Sequence, residues 1–546
     1  MHPELAIAGE KAPISMGNIM SNREKHLLVV WFFLNITIGF LIVQDYGISY
    51  DEPDYYLYAQ STVDAYRSFF TVAYSPFFGP NDLPNYGPAF IIFPELGIRI
   101  LRLIFPDVHA GDIWHFSYFL IFQLGGLCLY FLARRWFSSW SAWGILVLYT
   151  SQPLLWGHSF INPKDIPFMA FFLFTIWSGY RLADSLTADH RMIIFHAPGM
   201  APTRFRLRES LPYLQSPKLL LAGALLGMTM SIRLLGPLPG LIVILYLAFA
   251  FPQKWLSITA AYLICALVIM LLTWPYLWPN PLDHWMDSLV LMVRFPWPGR
   301  VLFNGEFYDP DGLPVSYLPV LLNIQLTEPL LVLVYLGFGI FVVRSWRKDI
   351  NLDLFLALVI GSVLPLTGLI LLRATMYDNF RQILFLLPPL MLFAGFALDL
   401  LFSVFRSVAL RFVLLSALAI PGIYASFQLH PYQYIYYNSL PGQTGGAFRR
   451  FELDYWGTAY REAALWLNEY AGPNATIGSN EADDLLAAYL RRDLVAEHST
   501  GPGEQYDYLV LTSRYNHDLT LYPEADVVHS IARDGAVLAV IKQPSP

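Results

Sequence analysis

A succession of apolar stretches, most of them long enough to cross a bilayer, constrains this chain more than any other feature. They fall at 26–44, 114–133, 138–157, 165–183, 218–235, 237–251, 256–274, 328–343, 351–372, 382–402 and 409–427. A hydrocarbon core about 30 Å thick needs roughly 20 apolar residues of helix. A mainly α, polytopic membrane protein of about eleven transmembrane helices is therefore expected, with the short, proline-flanked 237–251 stretch the least regular. Composition agrees. Hydrophobic residues make up 56% of the 546 and charged ones 14%, with a mean hydropathy of +0.46, far from a soluble norm. The net charge of −7 sums opposite faces of a membrane, and there is no basic tract suited to nucleic acid. Cys128 and Cys265, the two cysteines, fall inside apolar runs, where packing rather than a disulfide or a metal is their expected role.

Basic residues set the expected orientation. Residues 1–25 form a polar cytoplasmic segment, and the run from His26 reads as an uncleaved anchor. With that end inside, cytoplasmic turns collect Arg134, Arg135, Arg181, Arg191, Arg204, Arg206, Arg208, Lys218, Lys254, Arg344, Arg347, Lys348, Arg406 and Arg411, as the positive-inside rule asks. The transmembrane part then covers 26–427, with long outer loops at 45–113 and 275–327. In the first loop, Arg99 and Arg102 interrupt Leu and Ile at helical spacing between Pro88 and Phe105, the pattern of a helix lying in the interface. The second is rich in Trp, Pro and Tyr, fitting headgroup anchoring or a platform for sugar rings. From about 428 to 546 charge density becomes ordinary. A helix over Thr458–Tyr470, strands near Ala475–Gly478 and Tyr508–Leu511, and a hairpin over Val527–Ile541 turning at Asp534-Gly535 predict a small extracytoplasmic α/β domain.

Charge on the outer side gathers in a few places. Tyr50-Asp51-Glu52-Pro53-Asp54 opens the first outer loop. Asp54 suits the N-cap of a helix over Tyr55–Phe69, whereas Asp51 and Glu52 are less easily explained by capping. A carboxylate at the edge of a low-dielectric slab can be kept basic enough to take a proton from a hydroxyl. Asp165 stands in Gly157-His158-Ser159-Phe160-Ile161-Asn162-Pro163-Lys164-Asp165-Ile166-Pro167, either as an N-cap for the next span or as a functional acid. Lys164 runs against the orientation bias, and His158 reads either as a polar liner or as an ordinary interfacial residue. Arg233, Arg373 and Arg381, the last two bracketing Tyr377-Asp378-Asn379-Phe380, would either snorkel to headgroups or form a phosphate clamp. His109 and His115 flank Gly111-Asp112, a spacing too unspecific to mark a metal. No nucleotide fingerprint is present.

Taken together, Tyr50-Asp51-Glu52 after the first span, the interfacial stretch, Asn162-Pro163-Lys164-Asp165-Ile166-Pro167 and Phe380-Arg381-Gln382-Ile383-Leu384-Phe385-Leu386-Leu387-Pro388-Pro389 resemble the membrane glycosyltransferases of the C superfamily. The resemblance covers roughly 26–427 and points to the protein O-mannosyltransferase and aminoarabinose transferase branch, glycosyltransferase families 39 and 83. It implies an inverting transfer of a hexose or pentose from a polyprenyl-phosphate donor to a lipid, glycan or protein acceptor, outside a cell (inner or plasma) membrane. Asp51 would be the general base and Glu52 would orient it or hold a substrate hydroxyl. Asp165 would bind donor or acceptor; Lys164, Arg233 and Arg381 would meet the lipid phosphate, with His158 and Tyr377 beside them in the substrate site. No cofactor is expected, and a divalent metal stays open. The repeat-bearing outer domain of eukaryotic O-mannosyltransferases is lacking, which points to a bacterial-type enzyme, and the tail 428–546 matches nothing in the family. The competing reading is a transporter or flippase of a lipid-linked or small solute. Such carriers place ionisable groups near the bilayer midplane, whereas Asp353 and Asp399 here stand near inner span ends.

Overall fold

The computed structural model describes residues 20–69, 83–186, 210–293, 295, 297–499, 501 and 505–544. Most of the N-terminal segment, and Arg191, Arg204, Arg206 and Arg208 of the expected cytoplasmic set, lie outside these. Among the described residues eight helices are long and apolar enough to cross a membrane: Asn22–Asp45, Ala110–Trp136, Asp165–Leu186, Trp255–Thr273, Glu328–Trp346, Leu352–Leu371, Arg381–Val404 and Val408–Leu429. The chain is a multi-pass membrane protein.

The other three expected spans are present as shorter pieces. Pro217–Met230 and Pro237–Ala250 have 14 residues each, joined by a turn that carries Arg233. The 138–157 stretch is split into Ser139–Thr150 and Pro153–Ile161. Its break follows from Pro153, which forces Gln152 out of the helical region, to φ −75° and ψ 112°, as proline does to its predecessor. The Gln152 side chain uses the break to donate to the Gln325 carbonyl and to accept from Thr327.

Asp165–Leu186 and Arg381–Val404 are the most enclosed spans, whereas Val408–Leu429 presents Phe412, Val413, Ile420 and Phe427 outward. Glu328–Trp346 lies against Arg381–Val404 so closely that any side chain at Gly337 would strike the Phe393 carbonyl, the small-residue contact by which membrane helices approach. Arg135 is held between Asp184 and Asp353, and Asp399 accepts from the Ser138 amide and the Ser141 hydroxyl.

In the first loop the helix Glu52–Phe69 begins three residues earlier than expected, so Asp54 lies in its first turn rather than at its cap. The amphipathic stretch is realised as Ile92–Leu101. Arg99 pairs with Glu95 and Asp64, while Phe93, Ile100, Leu103 and Ile104 stay exposed. In the second loop Trp274 departs from the headgroup-anchor reading. Its indole is fully buried and donates to the Pro84 carbonyl at 3.0 Å. A two-stranded hairpin, β1 (Val301–Phe303) and β2 (Glu306–Tyr308), turns at Asn304-Gly305.

The tail contributes a helix and a mixed sheet. Helix Ala459–Tyr470 packs on a sheet of β3 (Thr476–Ser479), β4 (Val495–His498), β5 (Tyr508–Thr512), β6 (Asp526–Arg533) and β7 (Ala536–Gln543), in the order β4-β3-β5-β7-β6. Strand β3 runs parallel to β4 and β5, and β7 pairs antiparallel with β5 and β6. Asp534 and Gly535, both at positive φ, make the tight turn that a right-twisted hairpin favours.

Candidate active site

Loop 47–51 is clamped from two sides. The Ser49 hydroxyl donates to the Ile161 carbonyl at 2.8 Å and its amide to Glu52 Oε2 at 2.7 Å. The Tyr50 amide donates to the Trp456 carbonyl at 3.0 Å, and its hydroxyl to Glu481 at 3.1 Å. Gly47 is required here, because a Cβ would lie 2.6 Å from the Thr458 carbonyl oxygen. Glu52 is fully buried; besides Ser49 it accepts from the Tyr56 hydroxyl and meets His115 Nε2, each at 3.1 Å. Its carboxylate is thus occupied by groups of the protein itself. Asp51, one residue earlier, keeps 34% of its side chain exposed.

The 157–167 segment sits directly beneath. Asn162 Oδ1 accepts from the amides of Lys164 (3.2 Å) and Asp165 (2.8 Å), so Asn162, not Asp165, caps the next span. Asp165 is thereby released from capping, and Asn162 Nδ2 donates to its Oδ2 at 3.0 Å. Arg233 Nη1 lies 2.8 Å from Asp165 Oδ1, an ion pair off the line of a directed hydrogen bond. Arg233 also donates to the Gln382 carbonyl at 2.6 Å. His158 departs from the liner reading: it is fully buried behind Asn162. Its Nδ1 accepts from Asn162 at 3.3 Å, which leaves Nε2 to donate to the Tyr455 hydroxyl at 3.1 Å.

The Lys164 ammonium lies over the Tyr86 ring at 4.1 Å and the Tyr55 ring at 5.8 Å. It has no carboxylate or carbonyl partner among the described residues. Burial, with Arg233 next, pushes it down to about 8 against the opposing pull of Asp165 and Asp51.

Arg381 joins these pieces. Its Nη1 is 3.3 Å from Asp51 Oδ2 and 4.0 Å from Asp165 Oδ2. Its other edge grips Asp378 Oδ2 through Nε at 3.1 Å and Nη2 at 3.0 Å. The guanidinium lies over the Trp456 ring at 4.3 Å and the Tyr377 ring at 5.3 Å, and Tyr377 stacks on Trp297 at 4.6 Å. Asp378 and Asn379 both have left-handed φ, 52° and 58°. That conformation is held by Asn379 Nδ2 donating to the Glu452 carbonyl and by the Tyr317 hydroxyl donating to the Asn379 carbonyl. Arg514 Nη2 meets Asp378 Oδ1 at 2.6 Å.

Asp51, Asp165, Lys164, Arg233, Tyr377 and Arg381 are thus gathered around one place, with Glu52 and His158 buried behind it. Arg373 stays exposed, with no ion pair to these carboxylates. Sequence reasoning missed Arg514 and Trp456, which the tail contributes. The signal that could have found Trp456 is Asp454-Tyr455-Trp456-Gly457, an acid–aromatic run that an ordinary small domain does not need; nothing comparable marks Arg514. Among the described residues no three His, Cys, Asp or Glu side chains come together to hold a metal.

Glu452 borders the site. It is buried, accepts from the Leu302 amide at 2.7 Å, and is raised from 4.5 to about 7, mainly by desolvation and against the pull of Arg514. The folded protein therefore binds this proton more tightly than the unfolded chain, and stability falls as pH rises from about 4.5 to about 7. Once ionised, the group costs about 3 kcal/mol. Thermal unfolding in detergent between pH 5 and 8 is expected to show the decline, and Glu452→Gln, which can still accept from Leu302, is expected to flatten it.

No protein-family model matches the chain, and no curated protein sequence does. Among solved structures it is similar to ArnT from Cupriavidus metallidurans bound to undecaprenyl phosphate, with 14% identity and a TM-score of 0.46 over 94% of this chain and 97% of that one. It is also similar to the archaeal oligosaccharyltransferase AglB from Archaeoglobus fulgidus, solved with an inhibitory peptide and a dolichol-phosphate, with 12% identity and a TM-score of 0.47 over 90% and 70%. A third is the arabinofuranosyltransferase AftD from Mycobacteria, with 13% identity and a TM-score of 0.42 over 94% of this chain and 40% of that one.

Proposed function

We propose that the chain is an inverting glycosyltransferase that moves a sugar from a polyprenyl phosphate to an acceptor on the outer face of a cell membrane. One observation carries this reading. A single guanidinium, Arg381, ties Asp51 to Asp165, while the neighbouring Lys164 holds an ammonium without an anionic partner. An open carboxylate beside uncommitted positive charge is the arrangement an acceptor hydroxyl and a lipid phosphate need. In the transfer, Asp51 takes the acceptor proton and the freed oxygen attacks the anomeric carbon from the face opposite the phosphate. The sugar–phosphate bond breaks, its electron pair leaves with the phosphate, and Lys164, Arg233 and Arg381 neutralise the charge that develops there. The N-terminus is cytoplasmic, the tail lies outside, and Ile92–Leu101 rests its apolar side in the outer interface.

The test is transfer of labelled sugar by the purified protein in proteoliposomes from a panel of polyprenyl-phosphate hexoses and pentoses; no transfer from any of them would remove the assignment. Lys164 adds a pH signature. Its cationic form predominates below about 8, so affinity for undecaprenyl phosphate is expected to fall as pH rises through that value. Lys164→Met is expected to lower affinity about tenfold and to abolish this alkaline limb.

A further inference from the structure

Arg381 can serve a phosphate or a carboxylate only if its Nη1 edge is aimed at them, and a long flexible side chain does not aim itself. Its opposite edge is fixed by Asp378, whose Oδ2 accepts from Nε and forms an ion pair with Nη2. The other oxygen, Oδ1, is taken by Arg514 at 2.6 Å. Asp378 is therefore shared between an arginine of the membrane part and one from the tail domain. Arg514 follows the end of β5 and is itself well enclosed. Its Nη1 donates to the Tyr455 carbonyl at 3.4 Å, and its guanidinium lies over the Trp297 and Tyr515 rings at 5.7 and 5.2 Å. Its Nε–H is buried without an acceptor, the nearest carboxylate being Glu452 at 3.9 Å.

We propose that Arg514 is a positioning residue for Arg381, acting through Asp378. The tail domain, by this contact, completes the phosphate-facing half of the site. Without Arg514, Asp378 loses the partner that holds its Oδ1 side, and its carboxylate is free to rotate and to take more of the Arg381 guanidinium. The Nη1 edge then turns away from Asp51 and Asp165.

The inference rests on the proposed lipid-phosphate reading of the site, so the experiment separates the two. Undecaprenyl phosphate binding to full-length protein in detergent is measured for wild type, Arg381→Gln, Arg514→Gln and the double variant, and the structure of Arg514→Gln is determined by electron cryo-microscopy. Arg514→Gln is expected to weaken binding about tenfold, yet to cost little more in the Arg381→Gln background, because the two act as one unit. Its structure is expected to show Arg381 Nη1 withdrawn from Asp51. Additive losses, or an Arg381 that stays in place, would overturn the proposal. A wild type that does not bind undecaprenyl phosphate counts against the function proposed above, while the position of Arg381 in the variant still decides this one. Should Arg514→Gln not fold, Arg514→Lys replaces it. That variant keeps the charge but not the planar fork; an intermediate loss of about threefold that vanishes beside Arg381→Gln supports the proposal, and no loss rejects it.

Discussion

Sugar transfer by Asp51→Asn is expected to fall by about 10²- to 10⁴-fold, the range for removing a general base. Asparagine keeps the shape and can still accept from Arg381 Nη1, now 3.3 Å from the carboxylate, so the loop that carries it should hold. What disappears is a group able to take the acceptor's proton. The measurement is the initial rate from a polyprenyl-phosphate sugar, with undecaprenyl phosphate binding alongside. Binding is expected to hold or tighten, since one negative charge beside the phosphate is gone. A variant within about threefold of the wild-type rate, far short of the expected loss, would remove Asp51 from the chemistry.

Asp165→Ala is expected to act on the fold as well as on the reaction. The carboxylate is 1% exposed, within ion-pair distance of Arg233 and Arg381, and the Lys164 charge leans on it. Removing one member of a buried charged set leaves the others uncompensated and typically costs about 3–5 kcal/mol. Thermal unfolding in detergent should show a large drop, and Lys164, deprived of the neighbour that favours its charge, should move further below its value of about 8. Asp165→Asn, which can still receive the Asn162 bond, should unfold at a temperature between the two. If Asp165→Ala were as stable as wild type, the arginines would have other anions and the described network would be incidental.

Legibility from sequence followed the physics of each signal. Spans such as Asp165–Leu186 and Val408–Leu429 were plain because hydrocarbon tolerates little else, and the β6–β7 hairpin because Asp534-Gly535 has few other uses. The count of eleven full crossings did not carry over, since apolar length cannot show that Pro153 divides one stretch or that two others stop at 14 residues. Asp51, Asp165 and Arg381 were recognisable because charge at a membrane edge needs a reason. His158 and Glu52 were harder to place, because a polar residue near a site can stand either in it or behind it. Arg514 was out of reach. It lies 133 residues beyond Arg381 in the numbering, and only folding brings it to Asp378, the carboxylate that it shares with Arg381.

The two 14-residue helices on either side of Arg233 have a mechanical consequence. At 1.5 Å per residue each rises about 21 Å, some 9 Å short of a hydrocarbon layer about 30 Å thick. The shortfall has to be met by a dimple in the leaflet or by a sunken turn. Either way, the hydrocarbon layer is thinned along that flank, beside the turn that carries Arg233.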